Sequence, residues 1–253
     1  MAKIVKKSDH LETEYKQAER SNEFNPLAFL LLIVICVAFV AAYFITDFPV
    51  FAVGAGIMFI VAIISVKSDT ARDYSEQNIL ASGIEGEHST AKLLKHLPDN
   101  YTVYQDVVVE FDGKVSEIDN VVVGRTGIFV IETKNRNSRI IGDYSERDWQ
   151  QIKIGRGGTP YGESFYSPVK QVGTHIFRLK SYLRNSDIRV YINGAVYFSN
   201  PQASVEMHGE PGDVPVFICS DGGGEALLNY ILSTDKSLPT ATVKRINKII
   251  ENL

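Results

Sequence analysis

The spacing of apolar positions changes character several times along the chain. From Leu27 to Ile45, and again from Phe48 to Val66, it is continuous: two runs of nineteen residues without a charge, separated only by Thr46 and Asp47. Each run just reaches the roughly 20 apolar residues that an α-helix needs to cross the hydrocarbon core of a bilayer. Asp47 can cap a second helix and Pro49 suits its first turn. The pattern therefore predicts a transmembrane helical hairpin over 26–66, with two buried core helices as the alternative reading. Lys3, Lys6, Lys7, Lys16 and Arg20 precede the runs, Lys67 and Arg72 follow them, and the short connection has no base. The positive-inside rule then predicts a multi-pass cell-membrane protein with both termini cytoplasmic and the lipid bilayer as a partner.

Beyond the apolar runs the texture is that of a globular domain. Residues 1–25 read as a polar N-terminal tail and 67–82 as a linker or helical extension. Ile84, Ala91, Leu93, Leu94 and Leu97 recur at helical spacing up to Pro98, which predicts a helix over roughly 83–97. Val103–Phe111, Glu117–Val123 and Gly127–Thr133 are rich in β-branched residues and bounded by turn residues, as strands are; Asp148–Ile154 can be another. Val169, Val172, Ile176, Leu179 and Leu183 predict an amphipathic helix over Pro168–Leu183. Val190–Phe198 and Val214–Cys219 return to strand texture, and helical patterns follow near Ala226–Ile231 and Thr240–Ile250. This order predicts an α/β domain over 83–220 with a mixed sheet, followed by a helical extension over 221–253.

Composition adds limits. The 253 residues are 45% hydrophobic and 22% charged, which excludes collagen, low-complexity disorder and a disulfide-stapled mini-protein. Two cysteines, Cys36 and Cys219, make neither a disulfide framework nor a zinc site. The net charge of −4 is not that of a protein that coats nucleic acid through a basic surface. A local basic excess exists from Arg125 to Arg156, where seven bases face four acids. It reads either as a solvated loop region or as an anion-binding patch.

The chemistry sits at strand ends. In Gly127–Lys134, the residues Ile128, Val130, Glu132 and Lys134 share one face of a strand, about 6.6 Å apart in steps of two. A carboxylate and an ammonium at the end of a buried strand need partners or a ligand. Asp119 lies on the preceding strand; if the two strands are neighbours, Asp119 and Glu132 can converge on one cation, with Mg²⁺ (or Mn²⁺) the usual occupant. Such a metal would activate water for phosphodiester hydrolysis, while Lys134 would position that water or stabilise charge on the phosphorane. Glu87 can add a third ligand or hold a metal-bound water. Gln171 and His175, four apart, can reach the site from a helix. Taken singly, each is more often a strand-end ion pair, a cap or a surface histidine.

Together these residues resemble the nuclease-related domain (NERD) family, whose fold is of the PD-(D/E)xK restriction-endonuclease-like superfamily. Gly83-Ile84-Glu85-Gly86-Glu87 resembles the family's opening motif, Glu117–Gly124 its Asp-bearing strand, and Gly127–Asn135 its Glu-x-Lys strand. Trp149 and Ser167-Pro168-Val169-Lys170-Gln171 match further motifs, with Ser167 where Asn is usual and Asn120 where His is frequent. The resemblance runs from about Gly83 to Cys219. It implies a restriction-endonuclease-like mixed sheet flanked by helices. It also implies nuclease-site roles for Glu87, Asp119, Glu132, Lys134 and Gln171: Asp119, Glu132 and Glu87 as metal ligands, and Asp119, Glu132, Lys134 and Gln171 in catalysis. Arg136, Arg139 and His175 are the candidate substrate-binding residues.

Two functions follow as expectations. One is a membrane-anchored, Mg²⁺-dependent nuclease acting on nucleic acid, DNA in the first instance. The other is a catalytically silent module that binds nucleic acid or a protein at the membrane, which the acidic overall charge favours. Gly155-Arg156-Gly157-Gly158 lacks the Gly-Lys-Ser/Thr ending of a phosphate loop and reads as a flexible loop that orders on substrate binding.

Overall fold

The computed structural model describes residues 1–21, 77–155, 157–233 and 237–253, together with scattered helical positions between 30 and 60. The chain divides into two units, Met1–His10 with Ser82–Leu253, and Leu11–Ala81. In the second unit, α1 (His10–Ser21) is the longest described stretch, and Gln77 Nε2 donates to the Ala18 carbonyl at 3.1 Å.

The first unit is a mixed α/β domain with two sheets. The larger has the order β1-β2-β3-β4-β8-β10. Its strands are β1 (Lys3–Lys6), β2 (Thr102–Phe111), β3 (Lys114–Gly124), β4 (Gly127–Lys134), β8 (Ile192–Phe198) and β10 (Val216–Ile218). β2, β3 and β4 form an antiparallel meander, whereas β1 joins β2, β8 joins β4 and β10 joins β8 in parallel. The smaller sheet has the order β7-β6-β5-β9, from β5 (Arg139–Asp143), β6 (Asp148–Ile154), β7 (Pro160–Tyr166) and β9 (Ser204–His208).

β4 is buried on both faces, so its apolar side chains feed two cores. Ile128 and Val130 pack with α3 (Pro168–Asn185) and α5 (Thr240–Glu251); Phe129 and Ile131 pack with Leu94 of α2 (residues 77–94) and with Leu227 and Ile231 of α4 (Gly223–Leu232). The helical residues of 221–253, expected as an extension, thus complete both cores.

The N-terminus is not a tail. Ala2 is buried with Leu97 and Val103, Lys3 N–H donates to the Tyr101 carbonyl at 3.1 Å, and Lys3–Lys6 pairs with Thr102–Gln105. Deleting residues 1–9 removes this edge strand and exposes the side of β2. The expected cost is roughly 3 kcal/mol of stability, from the lost burial of Ala2, Ile4 and Val5, with a stronger tendency to associate. Denaturant unfolding and light scattering of the deletion measure both.

The expected transmembrane hairpin over 26–66 lies almost wholly outside the described residues. No helix among the described residues is long and apolar enough to cross a membrane. The multi-pass membrane placement with two cytoplasmic termini, and the bilayer as a partner, are corrected on that finding. A charge-free run states that a segment leaves water, not that lipid takes it in.

Candidate active site at the fork between two strands

Beyond Asn120, which pairs with Ile131, β3 and β4 part. Asp119 fills the gap: its Oδ2 accepts the Thr133 N–H at 2.7 Å, replacing the backbone carbonyl that β3 no longer offers. On the partner strand β2, the residue opposite is Asp106, which adopts a left-handed φ of 54° between the ladder pairs Gln105–Asn120 and Val107–Ile118. Both strands change face here: Tyr104 and Val121 enter the α3 core before the bend, Val107 and Ile118 after it.

The strand periodicity of β4 holds to its end. Glu132 and Lys134 continue the row of Ile128 and Val130 toward α3. Lys134 Nζ donates to Glu132 Oε1 at 2.6 Å and to Gln171 Oε1 at 3.2 Å. His175, one turn further along α3, is buried rather than on the surface, with Nε2 3.4 Å from Glu132 Oε2. Glu132 is 1% exposed and its Oε2 has no hydrogen bond, nor has either ring nitrogen of His175.

On the opposite face of β4, Thr133 Oγ1 donates to Thr90 Oγ1 of α2 at 3.1 Å, above the buried Asn120. Asn135 clamps α2 at Ser82: it donates to the Ser82 carbonyl at 2.8 Å and its own carbonyl accepts from Ser82 Oγ. The helix comes so close that a Cβ on Gly86 would lie 2.7 Å from Asn135 Cβ. This close approach explains the glycine in the Gly-x-x-Gly-Glu motif and brings Glu87 to the acidic end of the fork.

Electrostatics separate the carboxylates. Burial and the neighbouring Glu132 charge push Asp119 well above the usual carboxylate range, against the pull of Lys134 and the Thr133 amide. Glu132 goes the other way: burial raises it, but Lys134 and His175 outweigh burial and hold it below its ordinary value. Lys134 is pulled down by burial and raised further by Glu132 and Asp119, so it stays an ammonium.

Glu87 turns toward Asp106, with which it shares a hydrogen bond; burial and that neighbour's charge push it up to about 8. In the unfolded chain the same carboxyl titrates near 4.5. Between those values the folded state holds a proton that the unfolded state has released, so this group lowers stability as pH rises across that window. Glu87→Gln is therefore expected to match the wild type at pH 4 and to exceed it by about 1–3 kcal/mol at pH 8. Urea unfolding at the two pH values checks this.

The donor set suits a hard divalent cation. Glu132 Oε2 is a buried oxygen without a hydrogen bond, and burial beside Glu132 disfavours the Asp119 anion, an opposition that a bound cation would relieve. Among the described residues no group of three His, Cys, Asp or Glu side chains is gathered closely enough to hold a metal. Asp119 and Glu132 face the fork, whereas Glu87 is engaged with Asp106.

Of the substrate-binding candidates, Arg136 is seated: Nη1 donates to Gln151 Oε1 and the guanidinium lies 4.2 Å from the centre of the Phe165 ring. Arg139, on β5, pairs with Glu206 at 2.7 Å. The loop expected to be flexible is the tip of the β6–β7 hairpin, closed by Gly155 N–H to the Thr159 carbonyl at 2.9 Å; Arg156 lies outside the described residues. Sequence reasoning missed Asp106 and Asn135. The signal for Asp106 was available, as a lone charge inside Val103–Val109.

Residues 82–199 match the family model of the nuclease-related domain, NERD. A stretch of 96 residues is 34% identical to an uncharacterized protein of Bacillus anthracis, covering 37% of this chain and 43% of that protein. The chain therefore spans less than half the length of that relative. No solved structure matches it.

Proposed function

We propose, starting from a nuclease-related domain at residues 82–199, that this chain hydrolyses phosphodiester bonds of nucleic acid, DNA in the first instance, at the β3–β4 fork. The observation that carries the reading is the ammonium of Lys134, held between Glu132 and Gln171 beside the half-buried Asp119. Asp119 and Glu132 would hold Mg²⁺ or Mn²⁺, with Glu87 a third ligand once released from Asp106. The cation would supply Lewis-acid activation of the phosphoryl group and of water.

The chain's own residues do the rest. Lys134 is a poor base because its neighbours keep it protonated, so its part is to donate to a phosphoryl oxygen as negative charge develops there. Gln171 accepts from Lys134 and fixes the direction of its Nζ. Glu132 holds the ammonium on one oxygen and leaves the other for a cation. Thr133 N–H orients the Asp119 carboxylate from behind.

One observation favours a second reading, a non-catalytic nucleic-acid-binding module: the carboxylates of Glu87, Asp119 and Glu132 do not form a gathered trio. Two measurements separate the readings. Mn²⁺ at about 100 times its Kd should stabilise the wild type by about 2.7 kcal/mol and leave Asp119→Asn nearly unmoved; thermal melts show this. The full chain, which keeps β1, is then offered linear, nicked, branched and single-stranded DNA and RNA with Mg²⁺, Mn²⁺ or chelator. Cation-dependent cleavage supports the nuclease, and binding of both cation and polymer without cleavage supports the module.

A further inference from the structure

A row of charged side chains leaves the fork and runs along one face of the β6–β7 hairpin. The Lys134 ammonium feels the Arg136 charge, Arg136 is drawn to Glu163, and Glu163 pairs with Lys153. The register puts these groups on one side: Gln151, which accepts from Arg136, faces Glu163 across the hairpin, and Lys153 faces Tyr161 two residues further out. Tyr161 is 51% exposed, and β7 is an edge strand with nearly every residue open to solvent.

Two features say what such a face would take. Its two cations flank a single carboxylate, a net positive strip on a chain whose net charge is −4. At its outer end Tyr161 is the cross-strand partner of Lys153, and an aromatic residue paired with a cation is the combination that binds a nucleic-acid backbone and an exposed base together. A duplex hides its base faces, so the ring selects an unpaired strand.

We infer that this face of the hairpin is a track for an unpaired nucleic-acid strand, with Arg136 and Lys153 pairing with phosphates and Tyr161 stacking on a base. The inference rests on the nucleic-acid reading of the fork and adds the form of the polymer and the route by which it approaches. In the free protein Glu163 pairs with Lys153, while Gln151 and the Phe165 ring seat Arg136; Glu163 yields Lys153 to phosphate.

The test is fluorescence anisotropy of the full chain with labelled single-stranded DNA and with a duplex of equal length, in chelator, over a salt series. Single-stranded DNA is expected to bind more tightly than duplex. Tyr161→Ala should weaken single-strand binding about fivefold or more, and Tyr161→Phe, which keeps the ring, should not. Lys153→Ala should lower the slope of log affinity against log salt by about 0.7, and Glu163→Gln should raise affinity. Circular dichroism confirms that each variant folds. A wild type that binds single strands, with Tyr161→Ala and Lys153→Ala unchanged in affinity and salt slope, overturns the track and leaves the proposed function standing. A wild type that cleaves duplex but has no preference for single strands does the same. A wild type that neither binds nor cleaves any nucleic acid overturns the proposed function itself.

Discussion

Lys134→Ala is expected to lose about 10²–10³-fold in cleavage rate and, separately, about 3–5 kcal/mol of stability. The first loss follows from removing the ammonium that Glu132 and Gln171 hold at the fork, on which developing negative charge can rest. The second follows from Glu132, 1% exposed, which loses the partner of its Oε1 and keeps only a loosely aligned His175. A buried carboxylate without its counter-charge recovers by taking a proton, so the stability loss should shrink at low pH and grow toward neutral pH. The double change Glu132→Gln with Lys134→Met replaces the ion pair by neutral groups of similar size. It is expected to return stability to within about 1–2 kcal/mol of the wild type without restoring cleavage. Urea unfolding and single-turnover cleavage on the same preparations separate the two effects.

Trp149→Ala is expected to cost about 3–5 kcal/mol, the largest loss for a single side chain away from the fork. The indole is 1% exposed and lies nearly parallel to Phe198, the cross-strand partner of Lys134, at 6.4 Å. It meets Phe165 edge-on at 6.3 Å, and its Nε1 donates to the Asp143 carbonyl at 3.0 Å. A Cβ on Gly142 would fall 2.7 Å from the ring, so the site admits a tryptophan only over a glycine. Through Phe198 and Phe165 the indole joins the smaller sheet to the end of β4, and Phe165 also carries Arg136. Loss of the ring should therefore weaken nucleic-acid binding at temperatures where the variant is still folded. Trp149→Phe keeps part of the packing and is expected to lose about half as much stability. Thermal unfolding with anisotropy below the transition measures both.

The parts legible in the sequence were those with strong local periodicity. The two-residue period through Ile128, Val130, Glu132 and Lys134 placed two functional groups on one face, and the four-residue step from Gln171 to His175 placed two more opposite them. β6 was read with its observed bounds, Asp148–Ile154. The misses have a common cause, since their stability comes from partners far away in the chain. β1 is four residues long and pairs with a strand about a hundred residues later. β7 is open and polar, so no hydrophobic alternation marks it, and β9 alternates over only five residues, Ser204–His208.

His175 was placed toward the site by its spacing from Gln171, but taken singly it read as a surface histidine, because helical spacing does not reveal which neighbour it meets; the structure buries it beside Glu132. The acidic end of the fork was half visible. Asp119 was named from its strand, but its bond to the Thr133 amide depends on where β3 parts from β4, and only the three-dimensional pairing sets that point. Asp106 was passed over for the same reason, as its importance comes from the bend it shares with Asp119. The two apolar runs were read as a membrane hairpin, and the described residues contain no helix that would serve as one.

The most direct test of the nuclease reading is single-turnover cleavage of DNA by the full chain in Mg²⁺ or Mn²⁺, with the folded Glu132→Gln/Lys134→Met variant beside it. The account predicts cation-dependent cleavage by the wild type and none by the variant at equal stability. Equal cleavage by both proteins would contradict it, as would no cleavage by a wild type that binds cation and DNA.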